Sequence, residues 1–188
     1  ASLLASFEAF FGFLSFSLAT GLLFGRFSRP NAKIQYSDNA LITDVKGKRA
    51  LIFRIANKRS TPLLDLRATV ILTISKLTNE KRIEREYHRA KLQVSTLDFL
   101  PLNWTIVHII DEASPLLNLS EEALKMTNGE ILIHIRAFDE VFSQEVHSRF
   151  SYKFNEIISN ARFEPAFSVE KDGALTLDLA KINNFKKQ

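Results

Sequence analysis

The chain has 188 residues, 46 % of them hydrophobic and 24 % charged, a length for one domain or one domain with an appendage and a composition that excludes a disordered chain. With no cysteine, a disulfide framework, a thiolate metal site and a cysteine nucleophile are all excluded. The net charge of +4 hides an asymmetry: residues 26–59 carry nine Lys/Arg (Arg26, Arg29, Lys33, Lys46, Lys48, Arg49, Arg54, Lys58 and Arg59) against Asp38 and Asp44, a local +7 that leaves −3 for the remainder.

Residues 1–30 read as a membrane-crossing helix with a cationic stop. Residues 9–24 hold no charge, and the run reaches the about 20 residues of a spanning helix only with Glu8 inside it. An ionisable residue at that depth is rare and usually functional. A secretory signal would place its positive charge before the apolar run; here the acid precedes and the arginines follow. The start at Ala1 rather than Met suggests a cut from something longer. Gly12, Gly21 and Gly25, with Ser6, Ser15, Ser17, Ala19 and Thr20, supply small side chains that let helices approach closely in lipid. Phe16 and Phe24 lie about 80° apart around the helix axis with Thr20 between them, whereas Glu8 lies about 160° from Phe24. Phe16, Thr20 and Phe24 therefore share a face that Glu8 does not. Pro30 forces Arg29 out of helical conformation and ends the run.

A basic segment after such a helix favours retention on the cytoplasmic side and attraction to anionic lipid. Nucleic acid is the weaker partner, since only Phe27, Tyr36 and Phe53 interleave with the basic residues and no binding motif is present; none is expected.

The period then changes from helical to two. Residues 40–45 and the alternation of Leu51, Phe53 and Ile55 with Ile52, Arg54 and Ala56 predict two strands joined at Lys46-Gly47-Lys48. Further strands are expected at 66–77, 84–94, 104–110, 131–137, 145–154 and 175–179, the last after a turn at Asp172-Gly173. One internal helix of about three turns is expected from the Ser120 N-cap, with Glu121 and Glu122 in its first turn and Asn128-Gly129 at its end. The fold class is mainly β: an immunoglobulin-like β-sandwich preceded by one transmembrane α-helix. The division is a membrane-crossing helix at 1–29, a linker at 30–38 and the sandwich at 39–188.

Catalysis finds no support. His88, His108, His134 and His147 show no metal-ligand spacing, no glycine-rich phosphate loop occurs, and Glu84 with Glu86, or Asp139 with Glu140, reads as a solvated face. No catalytic residue, metal site or cofactor is expected.

Four ordered blocks carry a resemblance. Glu8-Ala9, Gly12 and Gly25-Arg26-Phe27-Ser28-Arg29-Pro30 form the first. Asn39-Ala40-Leu41-Ile42 with Phe53-Arg54-Ile55-Ala56-Asn57-Lys58-Arg59 forms the second, and Trp104-Thr105-Ile106-Val107-His108-Ile109-Ile110-Asp111-Glu112-Ala113-Ser114-Pro115-Leu116 the third. Ser151-Tyr152-Lys153-Phe154-Asn155-Glu156-Ile157 followed by Arg162-Phe163-Glu164-Pro165 completes the set. They resemble, in order and spacing, the inward-rectifier potassium channels, and within them the prokaryotic branch.

The resemblance implies a homotetramer, this chain with three identical subunits, conducting potassium ions through an inner membrane. The full-length protein would be multi-pass, with everything after Pro30 cytoplasmic. The family's Thr-x-Gly-Tyr-Gly filter is not in the sequence, so selectivity is implied by kinship. Gly12 falls at the inner-helix glycine, where bending and close packing are both open readings. Phe16 stands where strong rectifiers place an acid, and Phe24 at the bundle crossing, with Thr20 on the same pore-facing side. Arg26 and Arg29, joined by Lys33, align with residues that contact anionic phospholipids. Ala137, Phe138, Asp139 and Glu140 correspond to a cytoplasmic gating loop. Arg136 replaces an acid of some strong rectifiers, and Glu140 is expected to pair with Arg149. Gating by voltage is also implied. The competing expectation is a single-pass, membrane-anchored β-sandwich that serves as a sensor or interaction module.

Overall fold

A computed structural model describes residues 2–27, 31–77, 83–100, 102–169, 173 and 175–188. Arg29, Pro30 and Asp172, which carried expectations above, lie outside these. The chain divides into two units, residues 1–31 and 32–188.

The first unit is helix α1, Ser2–Phe27. Its 26 residues, at about 1.5 Å of rise each, give about 39 Å, longer than the roughly 30 Å hydrocarbon core of a bilayer. The most apolar 18-residue stretch of Ser2–Arg26 has a mean hydropathy of 1.6, and the segment is long and apolar enough to cross a membrane. Two of its hydroxyls are satisfied inside the helix: Thr20 donates to the Phe16 carbonyl (2.8 Å) and Ser6 to that of Ser2 (3.0 Å), which removes two polar groups that lipid would penalise.

The second unit is built from strands β1 (Ile34–Tyr36), β2 (Ala40–Val45), β3 (Lys48–Asn57), β4 (Leu63–Leu77), β5 (Ile83–Arg89), β6 (Thr96–Leu100) and β7 (Asn103–Ile109). Helix α2 (Glu121–Met126) follows, then β8 (Gly129–Asp139), β9 (Gln144–Lys153), β10 (Ile157–Ser159), β11 (Ala161–Phe163), β12 (Phe167–Val169), β13 (Leu175–Leu177) and β14 (Phe185–Lys187). One sheet runs β1-β3-β2-β10 with β7 also on β3; the other runs β5-β4-β8-β9 with β6 also on β4. All their pairings are antiparallel except β10 with β2. Two-stranded ribbons β11-β14 and β12-β13 complete the unit.

The two large sheets form a sandwich. Leu51, Phe53, Ile55 and Ile106 from one meet Leu66, Val70, Leu72, Ile133 and Ile135 from the other in the main core. Each such side chain, fully buried, contributes about 1.5–3 kcal/mol. The alternate residues of β3 are buried too, because Ala50 and Ile52 join Leu41, Ala161 and Phe163 in a second core on the opposite face. Strand β3 is thus covered on both sides, and Arg54, on the second face, is only 9 % exposed. Its guanidinium donates to the Glu164 carbonyl (2.6 Å) and lies over the Phe163 ring.

The turn between β2 and β3 is the two-residue loop Lys46 (φ 54°) and Gly47 (φ 78°), both left-handed, as a hairpin whose twist matches its strands requires. Lys48 is already paired with Val45, so the turn is one residue shorter than expected. Asp44 closes it by accepting from the Gly47 N–H at 2.8 Å.

Several expectations are corrected. Within the expected linker at 30–38, β1 pairs with β3 through Ile34–Asn57 to Tyr36–Ile55, and Tyr36 is buried against the core. Strand β5 stops at Arg89 rather than 94, because Ala90 turns into the core and Leu92 makes an isolated bridge to His108. Strand β13 stops at Leu177, where Asp178 caps a 3₁₀ turn, Leu179–Asn183. Helix α2 has six residues rather than three turns: Ser120 does cap it, but Thr127 is extended and its hydroxyl takes the Ala123 carbonyl at 2.7 Å. Gly129 belongs to β8, and its need is spatial, since a Cβ there would meet the Phe154 ring at 2.3 Å.

Candidate functional site

On α1, Gly12, Phe16, Thr20 and Phe24 all lie within one uninterrupted helix and are exposed. Apart from its chain neighbours and the backbone of its own helical turns, no heavy atom of the described residues stands within 4 Å of where a Cβ on Gly12 would be. Arg26 occupies the last turn, where a cation complements the negative end of the helix dipole. Lys33, in the second unit, has φ 45° and its carbonyl accepts from the Lys58 N–H at 3.1 Å.

The β8–β9 hairpin carries the other group of expected residues. Arg136, Ala137, Phe138 and Asp139 end β8, and the turn 140–143 leads to β9. Glu140 therefore lies at the hairpin tip, while Arg149 sits opposite His134, five residue pairs beyond the Asp139–Gln144 pair. At about 3.4 Å per residue that is roughly 17 Å of strand. The chain does not bring Glu140 and Arg149 together.

Asp139 organises the tip instead. It is 1 % exposed, and its Oδ1 accepts from the Val141 N–H (3.1 Å) and the Phe142 N–H (3.3 Å), the pattern of an Asp that starts a turn. Its Oδ2 is ion-paired with the Arg59 guanidinium, which also faces the Phe142 ring, 5.9 Å from its centroid. Arg59 is itself positioned: its N–H donates to Asn57 Oδ1 (2.9 Å), and Asn57 Nδ2 donates to the Thr61 carbonyl (2.8 Å). The loop after β3 and the β8–β9 tip are thereby clasped. Around the clasp Phe138, Val141 and Phe142 remain exposed.

Below the tip, Arg136 pairs with Glu145 at 2.8 Å. With Asp65, Arg67 and Asp98 they line an open pocket of about 350 Å³. His134 and His147 come within 3.1 Å of each other. Burial first, then His147, Arg149 and Arg136, hold His134 below its ordinary value, with Glu145 opposing.

The third sequence block is a structural brace. His108, 4 % exposed, lies with Nδ1 2.8 Å from the Lys91 carbonyl and Nε2 2.9 Å from the Ser114 hydroxyl. It joins β7 to both neighbouring loops. The fourth block is tied to the residue that follows β1, since the Tyr152 hydroxyl donates to the Ser37 carbonyl (2.6 Å), and β1 itself is tied to β9 where the Tyr36 hydroxyl donates to Ser148 (2.8 Å).

Two relationships were not legible from motifs: Arg59 with Asp139, and His134 with His147. The available signal for the first was an Asp at the end of a strand, followed by a turn whose N–H groups need an acceptor. For the second it was the shared hairpin alone.

Residues 34–188 match a family described as the inward rectifier potassium channel C-terminal domain. The chain is similar to the inward rectifier potassium channel Kirbac3.1 of Paramagnetospirillum magnetotacticum, 33 % identical over 183 residues, covering 97 % of this chain and 62 % of that protein. It is also similar to the human ATP-sensitive inward rectifier potassium channel 15, 31 % identical over 175 residues, covering 89 % of this chain and 47 % of that one. With the mouse ATP-sensitive inward rectifier potassium channel 12 the identity is 28 % over 167 residues, or 83 % and 38 % of the two chains. The chain therefore spans 62 % or less of the length of these relatives.

Proposed function

This chain belongs to the inward rectifier potassium channel family, and from that premise we propose that it supplies the inner pore helix and the cytoplasmic gating vestibule of a homotetrameric potassium channel. The observation that carries this reading is an apolar helix, uninterrupted from Ser2 to Phe27 with Arg26 in its last turn, in the same chain as a sandwich that matches the family from residue 34. A channel subunit of this kind is not an enzyme and needs no cofactor; potassium ions are its permeant species.

In this reading residues 1–29 cross the inner membrane of a multi-pass subunit, and everything after Pro30 is cytoplasmic. Four copies place Phe16, Thr20 and Phe24 towards one axis. The phenyl rings of Phe24 then narrow the cytoplasmic end to an apolar constriction that closes by dewetting, and Gly12 allows the helix to flex above it. Phe16 offers no negative charge to a blocking cation, and Arg136 adds positive charge, so block by polyamines is weak. Arg26, Arg29 and Lys33 meet anionic phospholipid, each worth about 1 kcal/mol near such a surface. The Arg59–Asp139 clasp sets the height of the tip formed by Phe138 and Glu140, a second constriction. Gating by voltage has no support, since the names of the relatives mention inward rectification and, in two of the three, ATP sensitivity, but not voltage.

The test is potassium or rubidium flux through the full-length protein in liposomes containing anionic lipid. Flux is expected. A folded tetramer that conducts nothing at any lipid composition overturns the reading and favours the single-pass interaction module.

A further inference from the structure

The β8–β9 ladder pairs His134 with Arg149 and Arg136 with His147, so the two histidines are diagonal neighbours on the face turned away from the core. Nε2 of His134 lies 3.1 Å from Nδ1 of His147. The ring planes are 17° apart and the centroids 5.3 Å apart. Centroids so distant with nitrogens so close mean that the rings meet edge to edge, each presenting a nitrogen to the other. Nε2 of His147 lies 3.3 Å from Oε1 of Glu145, and the other oxygen of Glu145 accepts from Arg136 at 2.8 Å. A carboxylate on the far nitrogen holds the ring proton there, the arrangement found behind metal-ligating histidines, so Nδ1 of His147 accepts from the Nε2–H of His134 and an ion would take the place of that shared proton.

We propose that His134 and His147 form a two-imidazole site for a divalent transition ion of the zinc, nickel or copper(II) kind, with Glu145 orienting His147 and water completing the coordination. Two nitrogens each about 2.05 Å from one ion stand about 2.9 Å apart at a right angle and about 3.3 Å apart at the tetrahedral angle. The observed 3.1 Å lies between these. In the edge-to-edge arrangement the two nitrogens point at each other, so an ion sits to the solvent side of the line between them, and both rings turn about their Cβ–Cγ bonds to meet it. Among the described residues no group of three or more His, Cys, Asp or Glu is placed to hold a metal ion; the proposed site has two protein ligands.

Its surroundings set its selectivity. Arg149 faces His134, Arg136 faces His147, and Arg67 on β4 faces Arg136. A hard cation such as magnesium or calcium needs oxygen ligands, and Glu145, the carboxylate in contact with His147, is engaged by Arg136. Ions that bind imidazole nitrogen strongly enough to overcome the neighbouring guanidinium groups are the borderline ones. An ion held there joins the two strands that carry the turn 140–143.

Copper(II) titrated into the untagged chain in detergent micelles, and followed by electron paramagnetic resonance, tests the site. One equivalent is expected to show hyperfine coupling to two imidazole nitrogens, displaced by zinc and unaffected by excess magnesium. The signal is expected to vanish in both His134→Ala and His147→Ala and to persist in His88→Ala, while Glu145→Gln weakens binding about tenfold or more. A two-nitrogen signal that survives either His134→Ala or His147→Ala overturns the proposal, as does its loss in His88→Ala. The rings lie outside the core, and unchanged circular dichroism verifies that each variant folds.

Discussion

Arg59 and Asp139, eighty positions apart in the chain, form an ion pair whose side chains are 11 % and 1 % exposed. The pair fastens the loop after β3 to the tip of the β8–β9 hairpin. Removing one member leaves a buried charge without a partner, which costs about 3–5 kcal/mol, whereas removing both costs much less. Denaturant unfolding of Arg59→Met, Asp139→Leu and the double variant in detergent is expected to show strong non-additivity, with each single variant less stable than the double. Additive losses would show that the pair is not coupled.

Gly129 faces the ring of Phe154, which a Cβ would meet at 2.3 Å. Gly129→Ala is expected to destabilise the sandwich by about 1–3 kcal/mol through overpacking, although alanine suits a strand no worse than glycine. Combining it with Phe154→Leu should recover part of the loss; a thermal unfolding midpoint unchanged in Gly129→Ala would contradict the contact.

Burial pushes the Tyr36 phenol up from its ordinary 10.0 to about 12, with the Ser148 hydrogen bond opposing; Tyr152 is raised in the same direction by burial. A folded value above the unfolded one means that neutral Tyr36 contributes its full stability below pH 10.0 and loses it as pH rises towards about 12. Unfolding between these limits is therefore expected to release phenolic protons, visible as tyrosinate absorbance that appears together with loss of structure. Tyr36→Phe should shift the alkaline midpoint upward.

Phe24 on α1 tests the channel reading most directly. In the full-length protein Phe24→Ala is expected to raise basal rubidium flux severalfold in liposomes, while Leu23→Ala, about 100° away around the helix, leaves it near the parent level. Equal effects of both would remove Phe24 from the gate.

The long strands were legible because each repeats the two-residue period over enough length to be distinguished: β2 has its expected bounds, and β3, β4, β7, β8 and β9 begin or end within three residues of them. Strands β1, β6, β10, β11, β12 and β14 were not, since three to five residues cannot display a period. Their strand character comes from partners far along the chain, as when β10 lies parallel to β2. The same limit produced the wrong pair at the hairpin. Glu140 and Arg149 have opposite charge and lie nine positions apart, but the turn 140–143 fixes a register that separates them and turns Asp139 inward to Arg59.

What the amino-acid sequence determined by itself was everything that depends on local pattern: an apolar run ended by cations, alternating strands, a capped helix and four ordered blocks specific enough to name a family. Only the tertiary structure decided which side chains meet. Alternation states which face of a strand is buried, but the register of each ladder states which residues stand opposite, and one residue of slip would exchange them all. That is why Arg59 finds Asp139, and why His134 finds His147, through pairings that no spacing in the chain announces.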